Sequence, residues 1–186
     1  MTTIVLAAGL SSRMGDNKLM LLYQDKPIIR VTVEKAISAS DRVIVVLGHD
    51  KERVEDAISG LDAGTVFNPV YTSGMKSSII TGIEAVSDDD FAILPGDLPL
   101  IEADDMEGTY RLLKDHEIAR AIHGGLPGHP VAFRRNHRDK LIAFPGGMKE
   151  YLALYDVAKH NASEGSVYDI DTQEKYQALL SGDYDL

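Results

Sequence analysis

Short and almost wholly apolar runs punctuate the first half of the chain. Each has the length and the β-branched content of a strand that is buried on both faces of a parallel sheet. The runs are residues 3–7, 43–47, 65–67 and 91–94. Strands of this kind need helices on both sides to cover them, so the pattern favours an α/β architecture.

Amphipathic stretches between these runs predict the covering helices. Pro27 is a residue type favoured at helix starts, and after it apolar side chains recur at near-helical spacing on one side. They are Ile28, Val31, Ala36 and Ile37. Two more helices are predicted at about 52–58 and at 77–86. The resulting β-α-β-α-β order is typical of a mostly parallel central sheet.

The second half of the chain is less regular. The pattern predicts a helix at 104–116, strands at 119–122 and 131–133, and a last helix at about 172–180. We expect the two strands to form a hairpin along one wall of a site, with a turn rich in glycine and proline at 124–128 between them. Gly128, His129 and Pro130 are predicted to form a tight turn. No repeat or linker divides the sequence, so we expect one domain over 1–186.

Composition narrows the class of protein. A chain of 186 residues can bury roughly 70% of its unfolded surface. A net charge of −10 without a basic cluster argues against a nucleic-acid partner, and the absence of cysteine excludes disulfides and thiol chemistry. No apolar run reaches about 18 residues and no leader-like segment is present. We therefore expect a cytoplasmic protein with no membrane partner.

The loop after the first strand carries the most specific chemistry. Ligands of open α/β sheets bind outside the carboxyl ends of the strands, and residues 6–19 leave such an end. Gly9 and Gly15 let backbone N–H groups approach an anion closely. The loop adds two hydroxyls and two cations, from Ser11, Ser12, Arg13 and Lys18. Either cation alone could be solvated, but the combination favours a phosphate site.

Two common nucleotide loops are excluded by spacing. A Walker loop needs Gly before its Lys and Ser or Thr after it, whereas Asn17 precedes Lys18 and Leu19 follows it. The dinucleotide fingerprint needs three glycines at fixed spacing after the first strand, and only two stand here.

Acidic residues in two motifs predict a cation site. Asp97 follows the apolar run 91–94, and Mg²⁺ prefers a few carboxylates together with water and phosphate oxygens. Asp97 could instead cap the next turn. Asp169 and Asp171 offer further carboxylates, but Asp171 with Glu174 could equally form a capping box for the last helix.

Together these motifs resemble those of a known family. The run 6–19 is similar to the nucleotide-binding signature of small nucleotidyltransferases, and its Ala-Ala-Gly form resembles the molybdenum cofactor cytidylyltransferase branch of the MobA-like family. Further segments stand in that family's order, at 68, 74–78, 96–99, 128–131 and 169–172. The resemblance covers nearly the whole chain. It implies the nucleotide-diphospho-sugar transferase fold, which is three-layered and Rossmann-like with a mostly parallel central sheet.

The resemblance also implies a role for each motif. Arg13, Lys18 and Asp97 would be catalytic, and Asp97 and Asp171, with Asp169 as a secondary ligand, would bind Mg²⁺. The nucleotide would contact Leu6, Ala7, Ala8, Gly9, Ser11, Ser12, Arg13, Lys18, Asn68, Gly74, Ser77, Ser78 and Gly96. Asn68 could be only a turn former, and Ser77 or Ser78 only an N-cap. Gly128 and His129 would contact the acceptor, although a histidine beside proline could equally be structural.

These residue types suit nucleotidyl transfer. A phosphate oxygen of the acceptor attacks the α-phosphorus of a nucleoside triphosphate and pyrophosphate leaves, so positioning and charge neutralisation suffice without a side-chain nucleophile. The resemblance implies CTP as substrate, a molybdopterin-type cofactor as acceptor, and a molybdenum-dependent oxidoreductase as a candidate partner.

One segment departs from the family pattern. Where the family carries Gly-Asp-x-Gly-x-Arg, residues 144–150 read Phe-Pro-Gly-Gly-Met-Lys-Glu. Lys149 could replace the missing cation, but a lysine does not reproduce the bidentate geometry of arginine on a phosphate. Guanylyl transfer from GTP, another small phosphorylated acceptor, and a non-catalytic nucleotide or cofactor delivery protein therefore stand as alternatives. A purely structural domain would not need this set of residues.

Overall fold

The computed structural model describes residues 1–10 and 17–183 of the chain. Within these ranges the strands are β1 Thr2–Ala7, β2 Leu22–Tyr23, β3 Lys26–Pro27, β4 Arg42–Leu47, β5 Gly64–Phe67, β6 Phe91–Pro95, β7 Ile118–His123, β8 Leu126–Phe133 and β9 Ala158–Asn161. The α-helices are α1 Ile28–Ala39, α2 Lys51–Ala57, α3 Met75–Ala85, α4 Ala103–Arg111, α5 Arg138–Ala143, α6 Met148–Leu152 and α7 Gln173–Ser181.

Seven of the strands form one twisted sheet in the order β5-β4-β1-β6-β8-β7-β9. β1 pairs in parallel with both β4 and β6, β5 adds in parallel to β4, and β9 adds in parallel to β7. β8 alone runs antiparallel to its neighbours β6 and β7. The prediction of a mostly parallel sheet with interleaved helices is confirmed.

Helices cover both faces of the sheet and give three layers. Alternate side chains along β1 pack into two different cores, because successive side chains of a strand point to opposite faces. Val5 and Ala7 pack with α1, α2 and α4 on one face. Ile4 and Ala8 pack with α3, α5 and α6 on the other. The apolar runs are thus buried on both faces, as a parallel sheet requires.

Several elements differ from the sequence prediction. The short hairpin β2–β3, the helices α5 and α6 and the edge strand β9 were not predicted. β9 has the sequence Ala-Lys-His-Asn, in which only every second residue is half-buried, so no apolar run marks it. An edge strand packs fewer side chains than a central one, which explains its weak signal.

The predicted tight turn at Gly128, His129 and Pro130 is wrong. These residues lie inside β8. The turn of the hairpin is made by Gly124 and Gly125, the first two residues of the turn predicted at 124–128, with φ of 57° and 82°. Two consecutive positive φ angles suit a two-residue hairpin turn, which glycine adopts without strain. The hairpin itself is confirmed, but it continues the central sheet through β8 rather than leaving it.

The carboxyl ends of the parallel strands β1, β4 and β6 meet at one edge of the sheet. The loops that follow them are therefore brought together there. Among the helices formed by residues 1–10 and 17–183, none is both long and apolar enough to cross a membrane.

Candidate active site

A cavity of about 550 Å³ opens beyond the carboxyl ends of β1 and β6. This volume lies within the range of small-molecule sites in proteins. The cavity is lined by Leu6, Ala8, Gly9, Leu10, Lys18, Leu19, Tyr71, Thr72, Gly74, Met75, Ser78, Pro95, Asp97 and Asp171. Its place at the strand ends is where open α/β sheets bind ligands.

Three carboxylates lie close together, and two of them, Asp97 and Asp171, line the cavity. Asp97, Asp169 and Asp171 each offer an oxygen atom, and these atoms lie within 4.8 Å of one another. The backbone brings them together, since the N–H of Ile170 donates to the carbonyl of Asp97 at 3.1 Å. Hard oxygen donors in this number fit Mg²⁺, which keeps waters and substrate oxygens as its other ligands.

Lys18 bridges two of the three carboxylates. Its Nζ contacts Oδ2 of Asp97 and lies 2.8 Å from Oδ1 of Asp171. Burial alone lowers the pKa of Lys18, but the charges and hydrogen bonds of Asp97 and Asp171 outweigh it and raise the pKa overall. The ammonium group therefore stays charged inside the site.

Asp97 is the most buried of the three acids. The residue is only 8% exposed, and burial raises the pKa of its carboxyl group, an effect that the charge of Lys18 offsets in part. Asp169 is more accessible and has its own lysine. Nζ of Lys175 lies 2.8 Å from Oδ1 of Asp169 and 3.1 Å from its carbonyl oxygen.

The alternative role of Asp171 as a helix cap is wrong. Thr172 is the N-cap of α7, and its hydroxyl oxygen accepts from the backbone N–H of Lys175 at 3.3 Å. A cap side chain must reach the N–H groups of the first turn, which Thr172 does. Asp171 instead lines the cavity and binds Lys18.

The residues predicted around Asn68 form one hydrogen-bonded unit. Nδ2 of Asn68 donates to Ser77 Oγ at 2.8 Å and to Ser78 Oγ at 3.0 Å, and its Oδ1 accepts from the N–H of Val70 at 3.0 Å. Asn68 is fully buried beneath the start of α3 and does not line the cavity, whereas Ser78 does. Its side chain thus positions the helix start.

Gly74 begins α3 in a conformation that requires glycine. It is the N-cap residue with φ of 109°, and it lines the cavity. A side chain at this φ would be strained. Neither Ser77 nor Ser78 is the N-cap of α3, so the simple capping role considered for them is wrong.

The residues of the first motif divide between cavity and core. Leu6, Ala8 and Gly9 line the cavity, while Ala7 points to the opposite face and packs in the core with Val5. Gly96 does not line the cavity either. A Cβ atom there would come within 2.7 Å of Ile29 and 2.9 Å of the carbonyl oxygen of Leu6. Close packing around position 96 therefore explains why the residue there is glycine.

Part of the predicted phosphate loop is not described. Ser11, Ser12, Arg13 and Gly15 lie outside residues 1–10 and 17–183. Their predicted contacts with a nucleotide stay predictions.

The residues predicted for the acceptor do not line the cavity. Gly128 is buried in β8, where a Cβ would come within 2.7 Å of the carbonyl oxygen of Ser166, and His129 follows it on the same strand. Lys149 is exposed on α6. The segment before α6 is held against α3, because Nζ of Lys76 donates to the carbonyl of Phe144 at 2.6 Å.

Sequence reasoning missed several lining residues, among them Tyr71, Thr72 and Met75. It also missed Gly48, at the end of β4, where a Cβ would come within 2.6 Å of Ala8 Cβ and 2.8 Å of Tyr71 Cβ. A glycine directly after an apolar strand is a signal of close backbone approach, and it could have indicated this position.

Comparison with known proteins agrees with this geometry. The family model described as the MobA-like NTP transferase domain matches residues 3–162. The chain is 29% identical over 179 residues to a molybdenum cofactor cytidylyltransferase of Escherichia coli (strain K12), covering 93% of this chain and 92% of that protein.

Solved structures with the same architecture are found as well. A nucleotidyl transferase from Methanothermobacter thermautotroptrophicus superposes with a TM-score of 0.85 and 25% identity, covering 97% of this chain and 96% of the other. Rv0371c from Mycobacterium tuberculosis H37Rv has a TM-score of 0.84 at 24% identity, with 97% of each chain covered. The fold is that of the nucleotide-diphospho-sugar transferases, and the chain is a nucleotidyltransferase that belongs to the MobA-like NTP transferase family.

Proposed function

We propose that this protein transfers a CMP group from CTP to the phosphate of a molybdopterin-type cofactor and releases pyrophosphate. The observation that carries the proposal is the meeting of Lys18, Asp97 and Asp171 at a cavity outside the carboxyl ends of β1 and β6. The similarity to the Escherichia coli cytidylyltransferase supports the choice of CTP and of the acceptor.

Lys18 has the central role on the nucleotide side. Its ammonium group stays charged, lies in the wall of the cavity and follows Gly9 on the same loop. A fixed cation at this place stabilises the negative charge that develops on the triphosphate as pyrophosphate leaves. Arg13, Ser11 and Ser12 would add donors from the same loop, and Gly74 and Ser78 would contact the nucleoside part.

Asp97, Asp171 and Asp169 are the residues that would hold Mg²⁺. When bound, the ion supplies charge neutralisation for the reacting phosphates. Asp97 is buried and therefore fixed, while Lys18 and Lys175 orient Asp171 and Asp169. The acidic residues thus offer oriented oxygen atoms rather than a proton.

The acceptor phosphate needs no side-chain base. A phosphate monoester is largely ionised at neutral pH, so its oxygen can attack the α-phosphorus once the two substrates are aligned. The bond from the α-phosphorus to the bridging oxygen breaks, and the electron pair leaves with pyrophosphate. The candidate acceptor contacts are Gly128 and His129, on β8 beyond β6, and Lys149 on α6.

Pyrophosphate release measures this reaction directly. The purified protein is incubated with Mg²⁺, molybdenum cofactor and either CTP or GTP, and each substrate is omitted in turn. We expect release with CTP that depends on the cofactor and is abolished by EDTA. Equal or greater release with GTP would favour guanylyl transfer. Release only with another phosphorylated compound would identify that compound, and not the cofactor, as the acceptor.

A delivery protein without catalysis would give a different result. If the protein is an enzyme, Asp97→Asn should remove turnover. If it is a carrier that binds the cofactor without metal, the native protein shows no turnover and Asp97→Asn keeps its affinity for the cofactor. We further propose that the reaction takes place in the cytoplasm, where CTP is available. A molybdenum-dependent oxidoreductase would then receive the product. Co-purification with such an enzyme tests that last step.

A further inference from the structure

Lys18 contacts two of the acids that would hold Mg²⁺, and it also lines the cavity that would hold the triphosphate. Its Nζ contacts Oδ2 of Asp97 and lies 2.8 Å from Oδ1 of Asp171. All three residues line the cavity. The same ammonium group therefore has two anionic partners within its reach, the carboxylates and a phosphate group bound in the cavity.

The place of this ammonium group conflicts with a metal ion on the same carboxylate oxygens. Mg²⁺ binds oxygen at about 2.0–2.1 Å, so an ion on Oδ1 of Asp171 would lie no more than about 5 Å from Nζ of Lys18. Two cations this close repel each other. The side chains of Lys18 and Asp97 are only 19% and 11% exposed, so water screens the repulsion weakly. Lys18 in this place therefore weakens the binding of a metal ion.

The carboxylates belong to two segments that are held together by the backbone. Asp97 is buried, and its carbonyl oxygen accepts from the N–H of Ile170 at 3.1 Å. Ile170 stands between Asp169 and Asp171, so this bond joins both acids to the loop of Asp97. Nζ of Lys175 also lies 2.8 Å from Oδ1 of Asp169. The acids are thus the fixed part of the site.

The backbone of Lys18 is anchored as well, but its side chain is not confined to one place. Lys18 begins a short 3₁₀ helix that ends at Met20, and its carbonyl oxygen accepts from the N–H of Leu21 at 3.2 Å. Lysine carries its charge on a flexible stem of four carbons, and here the stem borders the cavity. Rotation about its bonds can move the ammonium group from the carboxylates to a phosphate while the backbone stays in place.

A triphosphate supplies what both cations need. Its anionic oxygens accept strong hydrogen bonds from an ammonium group, and Mg²⁺ prefers carboxylates together with phosphate oxygens of a substrate. Once Lys18 is on the phosphate, Asp97 and Asp171 are available to the metal. The triphosphate and the metal ion then each favour the binding of the other, and such a coupling is reciprocal.

We propose that Lys18 couples the two ligands of the site: it is held by Asp97 and Asp171 until a triphosphate takes it, and only then do these acids bind a divalent metal ion tightly. The inference rests on the proposed function, in which these acids hold the metal and Lys18 meets the nucleotide. It adds that Lys18 by itself disfavours the metal. A site with a neutral residue at position 18 would bind metal tightly without any nucleotide.

Binding of Mn²⁺, used in place of Mg²⁺, tests the inference without turnover. The free ion is measured by its electron paramagnetic resonance signal, with neither nucleotide nor acceptor present. We expect Lys18→Met to lower the Kd for Mn²⁺ at least about tenfold. Lys18→Arg keeps the charge and should bind Mn²⁺ as weakly as the native protein. Lys114→Met is the matched control, because Lys114 is exposed near Met1 and Asp90, at the amino ends of β1 and β6.

Binding of CTP without an acceptor measures the coupling itself. The Kd for CTP is determined by calorimetry once in EDTA and once in excess Mn²⁺. Formation of the metal–CTP complex in solution contributes equally for every variant. We expect Mn²⁺ to strengthen CTP binding by a factor that is at least about tenfold larger in the native protein than in Lys18→Met.

An unchanged Kd for Mn²⁺ in Lys18→Met, or an equal strengthening of CTP binding in both proteins, would overturn the inference and leave the proposed reaction intact. If no variant binds Mn²⁺ even with CTP, the proposed metal site fails and the inference fails with it. The identity of the acceptor does not affect either result. Urea denaturation shows whether each variant folds, and Lys18→Gln, which is neutral and polar, replaces Lys18→Met if that variant does not.

Discussion

The ammonium nitrogen of Lys18 lies 2.8 Å from Oδ1 of Asp171, although 153 positions separate the two residues along the chain. One follows the first strand and the other precedes the last helix. Their contact joins the loop after β1 to the segment before α7 at the acidic site. Because both side chains are partly shielded from solvent, the pair is screened less by salt than an exposed one.

Asp171→Asn tests the acidic site. The amide keeps the size of the side chain but removes its negative charge. The proposed metal site then has one charge fewer, and Lys18 loses one of its two anionic partners. We expect turnover to fall about 100-fold, with a higher Mg²⁺ concentration needed for half-maximal activity. Pyrophosphate release at saturating substrates is the measurement. Asp183→Asn, on an exposed residue after α7, is the control and should behave as the native protein.

Asn68→Ala tests the unit beneath the start of α3. The change leaves two serine hydroxyls and one backbone N–H without their buried partner. We expect the free energy of unfolding to fall by about 1–3 kcal/mol, as measured by urea denaturation. The KM for CTP should rise too, since Gly74 and Ser78 line the cavity. Asn161→Ala, at an exposed position of β9, should change stability by less than about 0.5 kcal/mol.

Gly48→Ala tests the close approach of the loops after β1 and β4. The added methyl group would come within 2.7 Å of the carbonyl oxygen of Ala8, which is backbone and cannot swing away. We expect a loss of about 1–3 kcal/mol in stability and weaker nucleotide binding, measured by denaturation and calorimetry. Gly64→Ala is matched to it, because a methyl group there makes only an ordinary contact at 3.8 Å. Equal behaviour of the two variants would contradict the packing argument.

His129→Gln tests the pH dependence of stability. The pKa of His129 is about 4 in the folded protein and 6.5 in its ordinary state. Between these values the unfolded chain binds more protons, so the free energy of unfolding decreases as the pH falls from about 6.5 to about 4. The full loss from this residue is about 3 kcal/mol.

Urea denaturation across that pH range measures the effect. The glutamine variant cannot bind the proton, so its stability should decline less on acidification than that of the native protein. His116→Gln, at an exposed position, should follow the native curve. A parallel decline in all three proteins would show that His129 does not carry the effect.

The sequence predicted the parallel core of the fold because buried strands and amphipathic helices leave a periodic signal. The runs at β1, β4 and β6 were each placed to within about one residue. β9 and the helices α5 and α6 left no such signal, since they are short and their contacts are set by tertiary packing. The strand continuing through Pro127 to Pro130 was misread because prolines and glycines usually end strands.

The candidate site was predictable where the residue type limits the chemistry. Asp97, Asp171 and Lys18 were singled out and lie together at the cavity. The position of Asn68 beneath α3 was not predictable, because a buried amide and a ligand-binding amide have the same sequence signal.

The C-terminal segment packs tightly against the loop of Asp97. A Cβ on Gly165 would overlap the backbone of Leu100, and the N–H of Ile170 binds the carbonyl of Asp97 at 3.1 Å. During synthesis, every strand of the sheet leaves the ribosome before Asp169 and Asp171 do. A nascent chain that has released all of these strands therefore still lacks two of its three site carboxylates, and the full acidic site arises only after the sheet has been synthesised.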